Sequence, residues 1–536
     1  MSNPQQGNAE ESGGQRNNAN ISRSSRTPAC RLADASGIPN RRAIAAGAGI
    51  LGLFLYMLTC APGVLWQDSA MFQFRVRLGD LPGDLGLALA HPLYILLAKA
   101  FTLLPLGGDF AFRVNLFSAV CGAATLVFVV DLLMSLTRSR TAAVSGSILL
   151  AVSHTFWTHA VIAEVYDLYA LGLVAELWCL ERFFRRREVQ WLILALLVNG
   201  LNVSNHVLAI LHAPAYVGVI VWAAREKLLR GKHIALLALA FVVGSTPYLY
   251  LIIREIAGGR PVLQTLWYAL AGPPGRSSKV VATSFPFVHQ CKRAIQYFAM
   301  NFPTPLALLA PLGAWAAWKH LQTRWFLAVA GAVFVVNFVF AFRYMVADQF
   351  VFFTPCYVIF ALCVALGIPN LLTRGRWVVP ACLVCSVLPA VAYEIAPPLL
   401  QRRGISIGVK REIPGRNSYT YFLRPRKNGE TSAAKFARAA LAQAAPDGLL
   451  LADVTIKNLL VYARDIEGIC PGVTLNYGHD TTPAPPVIEP VPEEVKPFAD
   501  RGKAYICSNL PTYVPKWIRR AYDLEPVGVV YRLRPK

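Results

Sequence analysis

Apolar residues along this chain gather into runs that approach the ~20 residues a helix needs to cross a ~30 Å hydrocarbon core. Runs at 43–61, 113–136, 141–162, 165–184, 189–205, 207–224, 234–254, 297–318, 325–342, 350–369 and 377–396 predict about eleven transmembrane helices. One more run, His91 to Leu106, opens with His-Pro and holds Lys99 at its middle. Burying that cation would cost ~2.5–3.5 kcal/mol, so a juxtamembrane or re-entrant helix is predicted there. From about Pro397 the apolar runs shorten and Pro, Gly and charged residues return. A capped helix over Thr431–Ala445, a strand at Leu449–Leu451, a helix from about Thr455 and strands around Tyr505 and Val529 predict a small α/β domain over 397–536. Pro483–Pro492 reads as a stiff loop within it.

Composition agrees: 55% of residues are hydrophobic and 15% charged, which excludes a soluble chain. The net charge of +22 would suggest nucleic acid in a soluble protein. Here the basic residues sit mostly between apolar runs, so no nucleic-acid partner is expected; they read as topology signals and contacts to membrane lipids. With the His91 run left on the outer side, every short inner connection is basic: Arg41/Arg42, Arg138/Arg140, Arg185–Arg187, Arg225–Lys232, Lys319/Arg324 and Arg374/Arg376. That asymmetry predicts a cytoplasmic N-terminus and an extracytoplasmic C-terminal domain. Residues 1–42, rich in Asn, Gln, Ser, Gly and Arg, are expected to be a disordered cytoplasmic arm, and 43–396 the transmembrane domain. Most cysteines lie in or beside apolar runs. Cys470 and Cys507, in the C-terminal domain, either pair across the Pro-rich loop or stay as buried thiols.

Polar residues from distant segments collect on the expected outer face. Asp68 follows the first span, His91 opens the juxtamembrane run, and Arg113 begins the second span. Glu164 and Asp167 start the fourth, Asn205 and His206 lie in the turn between the fifth and sixth, and Arg343, Tyr344 and Asp348 lie between the ninth and tenth. Each has a plainer role: Asp68 suits a helix N-terminus, Glu164 and Asp167 complement a helix dipole, and His206 suits packing. Trp66, Trp157, Tyr166 and Tyr169 suit an interfacial aromatic belt. Glu176, deep in the fourth span, fits a transport path.

The stretches WQDSAMF, AHPLYILL, FRVNLFSA, SHTFWTHAVIAEVYDLYAL and SNHVL resemble a family of polytopic proteins, found in bacteria, that includes a eukaryotic protein O-mannosyltransferase and looks like a branch of the GT-C glycosyltransferases. The likeness continues in VADQFVFFTPCYVIFAL and YFLRPRKNGE, so it covers nearly all the chain from about residue 43. It implies a GT-C-like membrane enzyme, in a bacterial inner membrane, that moves a sugar from a polyprenyl-phosphate-linked donor to a protein or glycan hydroxyl. Asp68 stands at the family's first-loop catalytic carboxylate. His91, Arg113, Glu164, Asp167, Asn205, His206 and Arg343 become substrate-binding candidates, with Arg343 or Arg113 against the lipid phosphate. Without a clear Asp-x-Asp, a monophosphate donor and no metal are expected, a divalent ion remaining the alternative. The competing readings are a transporter or flippase of a lipid-linked substrate and a non-catalytic membrane scaffold.

Overall fold

A computed structural model describes residues 40–272, 285–409, 411–453, 455–476 and 490–536. Its first part is a helical bundle. The helices are α1 (Arg41–Thr59), α2 (Asp68–Leu78), α3 (Pro92–Phe101), α4 (Phe110–Thr137), α5 (Arg140–Ala151), α6 (His154–Ala160), α7 (Tyr166–Arg186), α8 (Val189–Asn205) and α9 (Ala213–Arg225). They continue as α10 (Gly231–Gly244), α11 (Thr246–Ala257), α12 (Val262–Ala271), α13 (Phe287–Asn301), α14 (Leu309–Lys319), α15 (Leu321–Arg343), α16 (Thr354–Gly367) and α17 (Val378–Arg402).

Every predicted apolar run is helical, but they are not equally continuous. Among the described residues, six helices are long and apolar enough to cross a membrane, or seven if the bent pair α10 and α11 counts as one span. The other four runs fall short for local reasons. Run 141–162 breaks at Ser153, where Asn301 Oδ1 accepts the Thr155 N–H at 2.8 Å. Run 297–318 breaks at Phe302–Thr304, beside Pro303 and Pro305, which cannot donate the helical hydrogen bond. α8 is only 17 residues long, and α7 carries charged residues along its length. The 73° bend between α10 and α11 falls at Ser245, just before Pro247. The His91 run forms the short α3 as expected.

Inside lipid, helices gain little from burying apolar faces against one another, so close packing and hydrogen bonds must hold them. Two glycine pairs allow that approach. A Cβ on Gly200 would collide with the Phe241 carbonyl and one on Gly244 with the Leu197 carbonyl, so α8 and α10 cross backbone to backbone. Gly313 and Gly367 do the same for α14 and α16. At one end of the bundle Asp131 on α4 accepts from Arg41 Nε (2.6 Å), Arg182 Nη2 (2.8 Å) and Trp178 Nε1 (2.8 Å), tying α1, α4 and α7 together.

The C-terminal part carries helices α18 (Ser432–Ala444), α19 (Lys457–Val461) and α20 (Pro492–Ala499) and strands β1 (Leu449–Leu451), β2 (Thr474–Asn476), β3 (Ala504–Ile506), β4 (Tyr522–Val527) and β5 (Val530–Pro535). The sheet order is β2-β1-β3-β5-β4, with β1 parallel to both neighbours and the β4–β5 hairpin antiparallel. The helix expected at 431–445 and the strand at 449–451 are present; β2 was not foreseen, and Val529 lies in the hairpin turn. α17 runs past Pro397 to Arg402. Cys470 and Cys507 are both free thiols. The arm to residue 39 and most of the Pro-rich loop lie outside the described residues.

Glu176 on α7 is buried and saturated with donors. Its carboxylate accepts from Asn199 (3.1 Å), Asn202 (3.1 Å) and Tyr216 (3.1 Å), with His212 Nδ1 at 2.9 Å. Tyr169 OH extends the chain to His212 Nε2 at 3.2 Å. This is a structural knot joining α7, α8 and α9. Glu176→Gln turns one acceptor into a donor facing donors and should cost about 1–3 kcal/mol. A lowered thermal midpoint in detergent is the expected result; an unchanged midpoint would show that the knot does not hold these helices.

Candidate active site

The loop between α1 and α2 carries Asp68 and is clamped from two sides. On the bundle side, Asn115 Nδ2 donates to the carbonyls of Ala61 and Gly63, both at 3.0 Å, and its Oδ1 accepts from Gln73 Nε2 at 2.8 Å. The Ala61 N–H donates to the Val161 carbonyl at 2.9 Å. On the other side, Trp66 leaves the bundle and enters the C-terminal part. Its Nε1 donates to Ser432 Oγ at 3.0 Å, its ring lies 5.5 Å from Phe436, and it shares an apolar core with Ala433, Leu441 and Leu460. Gln67 then takes a φ of +59°, with its N–H on the Thr455 carbonyl, and α2 begins at the exposed Asp68.

Glu164 faces the same region from the loop before α7. Its N–H donates to Ser118 Oγ at 3.3 Å and its carbonyl accepts from the same hydroxyl at 3.2 Å, fixing the backbone against α4. Burial, then the nearby carboxylates of Asp68 and Asp348, push the Glu164 carboxyl well above the usual range. Glu164 therefore keeps a proton at a pH where an ordinary carboxyl has lost it. Three acidic groups from segments far apart in sequence thus share one electrostatic neighbourhood, yet among the described residues no group of three or more His, Cys, Asp or Glu side chains is arranged to hold a metal ion.

The wall behind these groups is aromatic. His91, at the entry to α3 with a φ of +51°, donates from Nδ1 to the Asn205 carbonyl at 2.7 Å, and its ring lies 4.8 Å from His206. Burial pushes the His206 imidazole down to about 3, and its Nδ1 accepts the Leu208 N–H, so the ring is neutral with its proton on Nε2. Tyr166 lies 5.6 Å from His206 and 4.9 Å from His159, and Tyr344 packs 4.9 Å from Phe352. Asn205 Nδ2 donates to the Val165 carbonyl at 3.1 Å. His91, Glu164, Asn205 and His206 are thus brought together around the start of α7.

Asp167, Arg343 and Arg113 sit differently. Asp167 points into the bundle, fully buried, and neither carboxyl oxygen has a hydrogen-bond partner among the described residues. Arg343 ends α15 with its guanidinium 4.4 Å from the Phe285 ring, and Tyr344 follows it in sequence. Arg113 donates from Nη1 to the Thr102 carbonyl at 2.9 Å and turns toward Arg77 and Lys99. The expected aromatic belt is not formed by Trp66, Trp157, Tyr166 and Tyr169; all four are buried because each has an interior partner, as Trp157 Nε1 has in Thr59 Oγ1 at 3.0 Å.

Two basic residues next to the first loop were not singled out from the sequence. Arg416 is buried beside Trp66, Tyr421 and Phe422, at 5.5, 5.2 and 5.0 Å from their rings. Lys427 donates from Nζ to the Tyr421 and Arg424 carbonyls, both at 2.6 Å, while its N–H reaches the Thr59 carbonyl. Burial lowers the Lys427 ammonium to about 7. Arg416 had no sequence signal beyond its place in a charged, Pro-containing stretch, while Lys427 lies in the resemblance stretch YFLRPRKNGE without having been assigned a role.

ArnT from Cupriavidus metallidurans bound to undecaprenyl phosphate superposes with a TM-score of 0.53 over 92% of this chain and 97% of that one, at 13% identity. Its apo form gives 0.53 at 14% identity over the same shares. The chain shares its fold with that ArnT. Residues 87–229 also match the family model of the protein O-mannosyl-transferase TMEM260 N-terminal domain. The Archaeoglobus fulgidus oligosaccharyltransferase in complex with zinc and sulfate is similar at a TM-score of 0.48 and 12% identity, over 80% of this chain and 62% of that one. No curated protein matches the chain. Within this fold, the clamp on Trp66 makes a direct prediction. Trp66→Ala should destabilise the protein by about 3–5 kcal/mol, whereas Trp66→Phe, losing chiefly the Ser432 bond, should cost about 0.5–1.5 kcal/mol. Chemical denaturation followed by proteolysis of the C-terminal part would check both; equal stability of Trp66→Ala and the parent would remove the clamp.

Proposed function

We propose that this chain is a membrane glycosyltransferase that moves a sugar from a polyprenyl-phosphate-linked donor to an acceptor hydroxyl on the extracytoplasmic side of a bacterial inner membrane, with protein O-mannosyl transfer as the favoured reaction. The observation that carries the reading is Asp68, exposed at the start of α2 in the first loop and close enough that its charge, after burial, helps push the Glu164 carboxyl above the usual range. Pairs of carboxyl groups whose surroundings push their protonation apart suit acid–base work. The ArnT fold supports a polyprenyl phosphate donor, because that structure holds undecaprenyl phosphate. The match of residues 87–229 supports O-mannosyl transfer to a protein.

In this reaction the Asp68 carboxylate accepts the proton of the acceptor hydroxyl as its oxygen bonds to the anomeric carbon. The bond from that carbon to the phosphate oxygen breaks, and the lipid phosphate leaves with the electron pair. Arg343 meets that charge with a planar fork; it is preferred to Arg113, whose guanidinium is turned to Thr102, Arg77 and Lys99. Glu164 donates its retained proton to a sugar hydroxyl, and His91, Asn205 and His206 line the sugar. Asp167 acts from behind, through the packing of α7 against α4. The donor is a monophosphate and the step needs no metal, in keeping with a sequence that lacks Asp-x-Asp. The saturated Glu176 knot weighs against the transporter reading.

Positioned acid–base groups contribute ~10²- to 10⁴-fold. Asp68→Asn should therefore insert and fold normally, retain donor binding and lose transfer by at least about a hundredfold; near-normal transfer by the purified variant would sink the assignment. Sidedness has its own test. A reporter fused after Lys536 should be active only in a form that works outside the cytoplasm, and cytoplasmic activity there would reverse the orientation.

A further inference from the structure

A cavity lies at the far end of α2 from Asp68, about 13 Å away along the helix axis at ~1.5 Å per residue. Its volume is about 340 Å³, and three cations line it: Arg77 from α2, Lys99 from α3 and Arg113 from α4, with Thr102, Leu103 and Phe110 between them. The Arg77 and Arg113 guanidiniums lie 5.2 and 5.8 Å from the centre of the Phe110 ring. Arg113 Nε is buried without a hydrogen-bond partner among the described residues.

The acidic groups nearby are engaged elsewhere. Asp80 pairs with Arg75 at 3.8 Å, Asp84 accepts from Lys457 at 2.8 Å, and Asp109 caps α4 by accepting the Phe112 N–H at 2.7 Å. Three like charges converging on one cavity repel one another unless an anion joins them. Around the cavity mouth the surface is apolar: Leu103 is 81% exposed, and Leu78, Leu104 and Leu106 are exposed beside it, as are Leu96 and Leu97 on α3. In water such a leucine surface would be costly; at the boundary of hydrocarbon and headgroups it is solvated by acyl chains, while the cations face phosphate.

We infer that this cavity binds the phosphate of an anionic membrane phospholipid, with the acyl chains laid along the exposed leucines. It is separate from the Asp68 region and would anchor the α2–α3 unit at headgroup depth. A phosphodiester offers two unesterified oxygens, which suit the fork of either arginine, and the Lys99 ammonium closes the third side.

The test uses the full chain, delipidated in mild detergent. Phosphatidylglycerol, phosphatidylcholine, inorganic phosphate and a polyprenyl phosphate are titrated separately while the thermal midpoint is read. Phosphatidylglycerol should raise the midpoint saturably, phosphatidylcholine and inorganic phosphate should not, and the Arg77→Gln/Lys99→Gln double variant should need at least about tenfold more phosphatidylglycerol for the same shift. An equal response in the double variant overturns the inference. So does inorganic phosphate matching the lipid, which would make this a soluble-anion site, or polyprenyl phosphate displacing phosphatidylglycerol, which would make it a donor site. If the double variant fails to fold, the parent decides alone: the absence of a saturable response to phosphatidylglycerol overturns the inference, and Arg77→Lys/Lys99→Arg, which keeps the charge, should respond as the parent does.

Discussion

Trp66 is the hinge on which the arrangement turns. Its indole belongs to the apolar core of the C-terminal part, yet it sits two residues before Asp68 and a few residues after backbone held by Asn115 in the bundle. A loop held at one side alone would sample many geometries, and ordering each residue costs about 1–2 kcal/mol in backbone entropy. Here that cost is met by interactions made for other purposes, the core of one part and the interior of the other. The strain at Gln67, with its positive φ, persists because both flanks are fixed.

The same fixing gives the two carboxyl groups unlike characters. Asp68 begins a helix at the surface, in contact with water, whereas Glu164 has its backbone locked to Ser118 and is partly withdrawn from solvent beside two other acids. Desolvation and like charge act in the same direction on Glu164. Neither residue type nor helix position would have separated them; the difference comes from what surrounds each side chain. Asp167, only three residues from Glu164, shows how local that is, since the turn into α7 carries it to the opposite side, into the bundle.

How much of this could be read from the sequence follows from the range of the forces involved. Apolar runs report local burial, so each predicted run was legible as helix, as were α18 and β1, whereas α12 and most of α13 fall outside those runs. Breaks were not, where they depend on a distant partner: Asn301 supports the break at Ser153 from 148 positions downstream of it. The buried aromatics failed for the same reason, because an aromatic near a span end looks alike whether it faces lipid or a partner such as Ser432. Asp68 was found through motif resemblance, and its relation to Glu164 needed the fold. Arg416 carried no motif and Lys427 lay in a resemblance stretch without an assigned role, and the place of both beside the first loop depends on contacts hundreds of residues away.

That range has a consequence for how the protein is made. Trp66 and Ser432 are 366 residues apart, and the loop shares its core with Phe436, Leu441 and Leu460. During synthesis the first loop can be tied to Asn115 once α4 has formed, but its other flank stays without a partner until the segment around 432–460 has been produced and folded. Asp68 therefore cannot take its final position early. Long-range closure of this kind is slow, because the entropy of the intervening chain must be lost before any contact compensates for it. The bundle can assemble first by local helix pairing, with the Glu176 knot formed between consecutive helices and each glycine crossing between helices separated by one other. The carboxylates then come together in a last step, when the C-terminal part docks onto Trp66, so that a membrane-inserted bundle without that part would hold its helices and lack its site.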